Sequence, residues 1–216
     1  MFRKTRTADA RPPIRYLALG DSFTIGTGIG RERAFPALLA ARWRAQGRAL
    51  ELSEPAVNGY ATDELIAEEL PLARTFRPTL VTVLIGANDI VRAIRVRGAF
   101  DGPAEERYRV QLDRIHYGLR LAGVPASAVH AIPQPDWSSA PAAASFGAPD
   151  ALRGAIERAN AVAWRAAERA ASPYVDLSAL MRSHAERAMF APDGLHPSAD
   201  AHAEWAEALA ARLGPA

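Results

Sequence analysis

The chain has 216 residues and a formal net charge of +2, which fits one globular α/β domain. Its basic residues are spread among Asp and Glu along the chain, whereas nucleic-acid binding requires a clustered basic surface, so no nucleic-acid partner is predicted. The absence of cysteine excludes disulfides, cysteine-ligated metals and thiol catalysis.

Residues 1–13 are basic and contain no apolar segment of the kind that a secretory signal requires. We expect this stretch to be a flexible N-terminal arm, followed by a single domain over residues 14–216. No apolar run approaches the length of a membrane span, so the sequence predicts a cytoplasmic protein without stable membrane insertion. It predicts no particular oligomeric state.

Apolar runs with branched and aromatic residues alternate with segments of helical spacing. The run over 79–85 is the strongest strand signal and is predicted in the centre of a sheet, whereas 49–57 contains Pro55 and is predicted at an edge. In chain order, strands are predicted over 14–19, 49–57, 79–85, 128–132 and 174–177, and helices over 32–46, 62–74, 103–121, 150–171, 178–187 and 197–213. This alternation predicts one three-layer α/β/α domain around a parallel sheet.

A long connection over 133–149 follows the fourth predicted strand and is rich in Pro, Ala and Ser. Connections of this length in a compact domain are usually functional or mobile. We expect it to border the functional site.

Gly20-Asp21-Ser22 directly follows the first predicted strand, so Ser22 lies where open α/β sheets place their chemistry. A serine hydroxyl becomes an effective nucleophile only when a base accepts its proton. His196 is the favoured base because it lies in a turn three residues after Asp193, whose carboxylate can hold Nδ1–H and leave Nε2 free. The alternative is that Asp193 merely begins a turn before a helix. The remaining histidines fall in predicted helices or a strand and are expected to be structural: His116, His130, His184 and His202.

Two further residues could stabilise the oxyanion of an acyl-transfer reaction. Asn88 follows the central strand and could present its side-chain amide. Gly59 lies in a turn and could present a backbone N–H that no side chain covers. The alternatives are that Asn88 caps a helix and that Gly59 only completes a common Asn-Gly turn.

These motifs resemble, in order and rough spacing, the four sequence blocks of the GDSL or SGNH hydrolases: Gly20-Asp21-Ser22, Gly59, Gly86-Ala87-Asn88-Asp89 and Asp193-Gly194-Leu195-His196-Pro197. The resemblance extends from residue 15 to about residue 210. It implies a flavodoxin-like fold with a five-stranded parallel sheet between helices. The second block departs from the family pattern, because Glu54 and Ala56 stand where members often have Asn and Gly.

Carried over residue by residue, the resemblance implies a catalytic triad of Ser22, His196 and Asp193. Ser22 would be the nucleophile and, through its own N–H, the first oxyanion donor, and Gly59 and Asn88 would complete the oxyanion hole. His196 would act as general base and acid, oriented by Asp193. Two neighbouring carboxylates are expected to serve as hydrogen-bonding supports: Asp21 and Asp89.

The run Gly26-Thr27-Gly28-Ile29-Gly30 favours a competing hypothesis, a flavodoxin-like phosphate- or nucleotide-binding module without hydrolase activity. It departs from the dinucleotide fingerprint because Arg31 occupies the position of the third glycine, and no P-loop motif occurs. No metal-binding motif accompanies Asp193 and His196. No metal or cofactor is predicted.

As a hydrolase, the chain is expected to cleave small-molecule esters or thioesters of small or medium acyl groups. Acetylated sugars, aryl and alkyl esters, acyl thioesters and lysophospholipids are candidate substrates. Loops that follow the strand ends should provide the pocket walls, with five candidate residues: Phe23, Ile25, Tyr60, Ile90 and Trp137.

Overall fold

The computed structural model describes residues 12–214, so all but the last two residues of the predicted arm lie outside the described part. The strands are β1 (Ile14–Gly20), β2 (Leu50–Ser53), β3 (Leu80–Leu84) and β4 (Val129–Ala131). The α-helices are α1 (Ser22–Ile25), α2 (Phe35–Ala45), α3 (Thr62–Glu64), α4 (Leu72–Phe76), α5 (Ala87–Arg97), α6 (Gly102–Leu121), α7 (Pro149–Arg169), α8 (Ser178–Glu186) and α9 (Ala199–Leu213).

The four strands pair in parallel in the order β2-β1-β3-β4, with Gly20 opposite Leu84 at the end of the central pair. The strand order reverses between β1 and β3, because the chain moves outward from β1 to β2 and then outward from β3 to β4. Open α/β sheets leave a crevice at such a reversal, beyond the carboxyl ends of the strands. Ser22 follows β1 and Asn88 follows β3, so both lie at this crevice.

The helices form two packed groups. Helix α2 contacts β2 and α9, and α9 contacts α8, whereas α6 contacts α5 and α7, and α7 packs on β4. Every residue of β3 is buried, as a parallel strand covered on both faces requires. The largest buried side chains of the α2–α9 group are Trp43 and Trp205. The predicted three-layer α/β/α architecture is therefore confirmed.

The predicted fifth strand over 174–177 is reduced to one parallel bridge, between Ala131 and Tyr174. Asp176 then accepts a hydrogen bond from the Ser178 N–H (2.9 Å), which turns the chain into α8. Because β4 is only three residues long, a neighbouring strand has no ladder along which to continue. The described sheet therefore has four strands, and the prediction of five was one too many.

Two helical regions also differ from the sequence-based prediction. Helix α5 was not among the predicted helices, although a helix cap at Asn88 was the stated alternative and Ile90 and Ile94 have the spacing of one helix face. The helix predicted over 62–74 is divided into α3, a π-helical turn over Leu65–Glu69 and α4.

Across residues 12–214, the structure contains no helix with the length and apolarity needed to cross a membrane.

Candidate active site

Ser22 begins the short helix α1 directly after β1. Asp21 caps this helix, since its Oδ1 accepts the Phe23 N–H at 3.0 Å. Burial raises the pKa of the Asp21 carboxyl to about 7, even though the Phe23 N–H favours the ionised form. The Thr24 hydroxyl donates to the Leu84 carbonyl (3.3 Å) and ties α1 to the end of β3. These contacts hold Ser22, which is 5% exposed, at the crevice between the central strands.

His196 lies in a tight turn between α8 and α9. Asp193 Oδ1 accepts the N–H groups of Leu195 (2.9 Å) and His196 (3.0 Å), and its Oδ2 lies 2.7 Å from His196 Nδ1. Across the base of the turn, the Ala191 N–H donates to the His196 carbonyl (2.6 Å). The imidazole packs against Phe23, with ring centroids 5.4 Å apart. The turn therefore brings His196 against the helix that Ser22 begins.

The protonation of this pair follows from the environment of Asp193. Burial acts to raise the pKa of Asp193, but the N–H groups of Leu195 and His196 and the imidazole outweigh it and hold the pKa below its ordinary value. An ionised carboxylate only accepts hydrogen bonds, so Nδ1 carries the proton. Nε2 is then the free acceptor of the neutral imidazole.

The turn that contains Gly59 is tied to the start of α5. The Asn88 side-chain amide donates to the Tyr60 carbonyl (2.8 Å), and Asp89 accepts both the N–H (3.1 Å) and the hydroxyl (2.6 Å) of Thr62. Burial raises the pKa of Asp89 to about 6, against these two bonds from Thr62. Gly59 has φ +89°, and no atom lies within 4 Å of the point where a Cβ would sit, so this face of its backbone is open.

A cavity of about 220 Å³ lies at the crevice. It brings together three of the predicted reacting or oxyanion-binding residues: Ser22, Asn88 and His196. Asp193 contacts this cavity only through His196, and the residue that lines it from the Gly59 turn is Asn58. Of the predicted wall residues, Phe23 and Trp137 line the cavity, whereas Ile25, Tyr60 and Ile90 do not. Ile90 is fully buried in the core, and Tyr60 contributes its backbone carbonyl to the Asn88 contact.

Six lining residues were not predicted as site or wall residues from the sequence: Asn58, Ala87, Val91, Arg95, Phe146 and Leu195. Val91 and Arg95 belong to α5, and predicting that helix would have revealed both at helical spacing. Phe146 lies in the loop over 133–149 and packs edge-on against Trp137. The Arg95 guanidinium lies over the Phe146 ring, 5.7 Å from its centroid. The loop thus borders the cavity as expected. It is also packed rather than loose, since Trp137 is 2% exposed and the Ala142 N–H donates to the Gly194 carbonyl (2.9 Å).

Comparisons with known proteins identify the family of the chain and show structures with the same fold. Residues 18–204 match the sequence profile of the GDSL-like lipase/acylhydrolase family. Among solved structures, TesA is 21% identical with a TM-score of 0.72, over 93% of this chain and 98% of that chain. The psychrotrophic esterase EstA from Pseudoalteromonas sp., solved in a structure inhibited by monoethylphosphonate, is 16% identical with a TM-score of 0.69, over 92% and 95% of the two chains. The acetylxylan esterase Axe2 from Geobacillus stearothermophilus is 20% identical with a TM-score of 0.71, over 92% and 93%.

At these identities, the likeness to solved structures concerns the fold. A comparison with curated proteins found no significant match.

The glycine run after α1 packs against the His196 turn. Gly28 has φ +85°, and a Cβ at this position would lie 2.7 Å from Asp193 Oδ2, the oxygen that contacts Nδ1 of His196. The side-chain-free backbone of Gly28 therefore leaves room for the Asp193–His196 hydrogen bond. Gly28 therefore has a structural role in packing the His196 turn, within a run that suggested phosphate binding.

Gly28→Ala should displace the Asp193 carboxylate and weaken its hydrogen bond to His196. We expect the downfield NMR resonance of the Nδ1 proton to shift or disappear, together with a stability loss of about 1–2 kcal/mol from the positive φ. Gly98→Ala is the matched control, because Gly98 has φ +81° and nothing within 4 Å of its Cβ position. The control should lose similar stability and keep the resonance. An unchanged resonance in Gly28→Ala would show that Asp193 tolerates the contact.

Proposed function

The chain belongs to the GDSL-like lipase/acylhydrolase family and is an ester-hydrolysing enzyme, and on that premise we propose that it cleaves esters or thioesters of small or medium acyl groups through an acyl-enzyme on Ser22. The observation that carries this proposal is the meeting of Ser22, Asn88 and the Asp193-held His196 around one cavity. Neither phosphate nor nucleotide binding is supported by a comparable set of contacts within residues 12–214.

The first half-reaction follows from the state of the imidazole. His196 Nε2 takes the proton of the Ser22 hydroxyl while the serine oxygen attacks the ester carbonyl. The Asp193 carboxylate stabilises the imidazolium that forms, and its 2.7 Å contact to Nδ1 keeps the ring oriented. The imidazolium then gives the proton to the departing alcohol or thiol, which leaves an ester on Ser22.

The negative charge on the carbonyl oxygen needs fixed donors. Ser22 is the first residue of α1, so its N–H is not used by the helix's own hydrogen bonds. The amide of Asn88 has two N–H bonds, of which one is taken by the Tyr60 carbonyl. We assign the other N–H, the Ser22 N–H and the Gly59 N–H to the oxyanion.

In the second half-reaction, water takes the place of the alcohol. His196 accepts a proton from the water as it attacks the acyl-enzyme and returns it to the Ser22 oxygen, which restores the resting enzyme. The products are the carboxylic acid and the alcohol or thiol.

The dimensions of the cavity favour the small end of the substrate range. Its volume of about 220 Å³ lies below the range of about 300–1,000 Å³ that is usual for drug-sized ligands. Several of its walls are apolar side chains: Phe23, Val91, Trp137, Phe146 and Leu195. We therefore favour acetyl and other short acyl groups, in line with the structurally similar Axe2, which is an acetylxylan esterase.

Ser22 should be the residue that an organophosphonate modifies. Mass spectrometry of the labelled protein should find the phosphonyl group on the peptide that contains Ser22, with complete loss of esterase activity. Ser22→Ala should abolish turnover and labelling with an almost unchanged melting temperature, because one small hydroxyl contributes little to packing. Ser53→Ala on β2 is the control and should behave as wild type. Labelling at another residue would remove Ser22 from the mechanism.

Asn88→Ala should lower kcat by roughly 10²–10³-fold with little change in KM, because its amide bonds the carbonyl oxygen strongly only in the transition state. The lost bond to the Tyr60 carbonyl should also cost about 1 kcal/mol of stability. Thr62→Val is the control for loosening this loop alone. It removes the hydrogen bond from the Thr62 hydroxyl to Asp89 and leaves the Asn88 amide in place. Its kcat should fall less than tenfold. Wild-type kcat in Asn88→Ala would exclude the amide from the oxyanion hole.

Phe146→Ala should enlarge the cavity and shift the acyl preference toward longer chains. Measured on p-nitrophenyl esters from acetyl to palmitoyl, the ratio of kcat/KM for hexanoate over acetate should rise roughly tenfold. Phe76→Ala is a matched control, because Phe76 is also partly buried and carries an arginine over its ring, that of Arg15, far from the cavity. An unchanged ratio in both variants would place the acyl group away from Phe146.

A further inference from the structure

Glu69 is a buried glutamate in an unusual piece of helix. It ends the π-helical turn Leu65–Glu69, which is closed by a hydrogen bond from the Leu70 N–H to the Leu65 carbonyl (2.9 Å). The wider turn changes the direction of the side chains that follow, and such turns occur frequently at functional sites. Glu69 is 1% exposed, whereas its neighbour Glu68 lies at the surface.

The Glu69 carboxyl contacts the backbone that leads to Ser22. Its Oε2 accepts the N–H of Gly20 at 2.9 Å, and Gly20 is the last residue of β1, two positions before Ser22. Its Oε1 has no hydrogen-bond partner among residues 12–214. Asp21, which is fully buried, likewise has one carboxyl oxygen in this state, Oδ2.

Two buried carboxyls thus lie beneath the nucleophile without a nearby cation. Neither Glu69 nor Asp21 forms a salt bridge with any described Arg or His. Burial raises the pKa of Glu69 to about 8 against the Gly20 N–H, and the charge of Asp21 raises it further. Asp21 is the charged side chain that acts on Glu69, while the packed helices α3, α4 and α6 contribute none in the described chain. Near neutral pH, Glu69 is therefore a neutral acid.

We propose that Glu69 is a positioning residue, which holds the end of β1 and the turn carrying Ser22 through its hydrogen bond to the Gly20 N–H. The inference rests on the proposed role of Ser22 as nucleophile. One oxygen of the carboxyl group accepts the Gly20 N–H, and the other, Oε1, can carry the proton. When Glu69 loses its proton, it becomes a buried negative charge close to Asp21. The repulsion between the two carboxylates then acts on the turn that carries Ser22. The negative charge of Asp89 also raises the pKa of Asp21, so three carboxyl groups contribute negative charge near this turn.

The raised pKa of Glu69 determines how folding stability depends on pH. A carboxyl whose pKa is raised by folding binds its proton more tightly in the folded state, so its effect on stability becomes unfavourable as the pH rises. The loss extends from the ordinary value of about 4.3 to the folded value of about 8. Glu69→Gln keeps an acceptor and a donor without the charge. The melting temperature of this variant, relative to wild type, should therefore increase across that interval.

The decisive experiment compares Glu69→Gln, Glu69→Leu and the surface control Glu68→Gln. The kcat and KM of short-chain alkyl ester hydrolysis are measured by pH-stat titration from about pH 6 to about pH 10, where the acid product is counted directly. Wild type and Glu68→Gln should lose kcat above about pH 8. Glu69→Gln should match wild type within about twofold at neutral pH and keep its kcat in alkali. Glu69→Leu should lose roughly tenfold in kcat, with KM little changed, because the Gly20 N–H loses its acceptor.

The proposal would be overturned if Glu69→Gln lost kcat at alkaline pH as wild type does, or if Glu69→Leu kept the kcat of wild type. Should Glu69→Leu fail to fold, the profile of Glu69→Gln decides alone. Phosphonate labelling of wild type at Ser22 is measured in parallel. Absence of that label overturns the Ser22 mechanism, and with it this inference, whereas a labelled wild type with unaffected Glu69 variants overturns only the role of Glu69.

Discussion

The parallel pairing of β1 with β3 is the constraint on which the site depends. Gly20 lies opposite Leu84, so the two chains leave the sheet side by side, one toward Ser22 and the other toward Asn88. Because β2 and β4 lie on the outer sides of this pair, the helices that connect the strands diverge and leave the crevice uncovered. Ser22, the proposed nucleophile, and Asn88 are therefore brought together by the backbone of the core, whereas His196 is placed by a separate turn that packs on Phe23.

The turns around the crevice share one way of satisfying their backbone. Each has at least one N–H group that no helix or strand uses and that donates a hydrogen bond to a nearby carboxyl oxygen. The pairs are Asp21 with Phe23, Glu69 with Gly20, Asp89 with Thr62, and Asp193 with Leu195 and His196. Hydrogen bonds to an ionised acceptor are strong and short, but they become costly when the carboxylate is buried without a cation. Only the more exposed Asp193 has its pKa lowered, while the other three carboxyls have theirs raised.

Much of this arrangement could be predicted from local sequence patterns. The buried strands have continuous apolar runs, and the reacting residues follow them in motifs short enough to recognise. Helix α5 escaped prediction because Asn88 and Asp89 favour turns, although here they begin a helix. The fifth strand was overpredicted because an apolar run indicates burial but not the presence of a partner ladder. Glu69 lies four residues after the buried Leu65, so helical spacing places it rather than Glu68 on the buried face. An apolar pattern does not predict a buried carboxyl at such a position.

Two side chains that line the cavity lie outside the hydrogen bonds that hold the proposed catalytic residues. Asp21 caps the helix that Ser22 begins, the Asn88 amide donates to the Tyr60 carbonyl, and Asp193 accepts the His196 N–H. Phe146 and Arg95 contact each other at the rim, and neither takes part in those bonds. Partly buried rim side chains can be exchanged at a smaller loss of packing free energy than core residues. It follows that substitutions in α5 and in the loop over 133–149 can change the size and polarity of the proposed acyl pocket while Ser22, Asn88 and His196 keep their geometry.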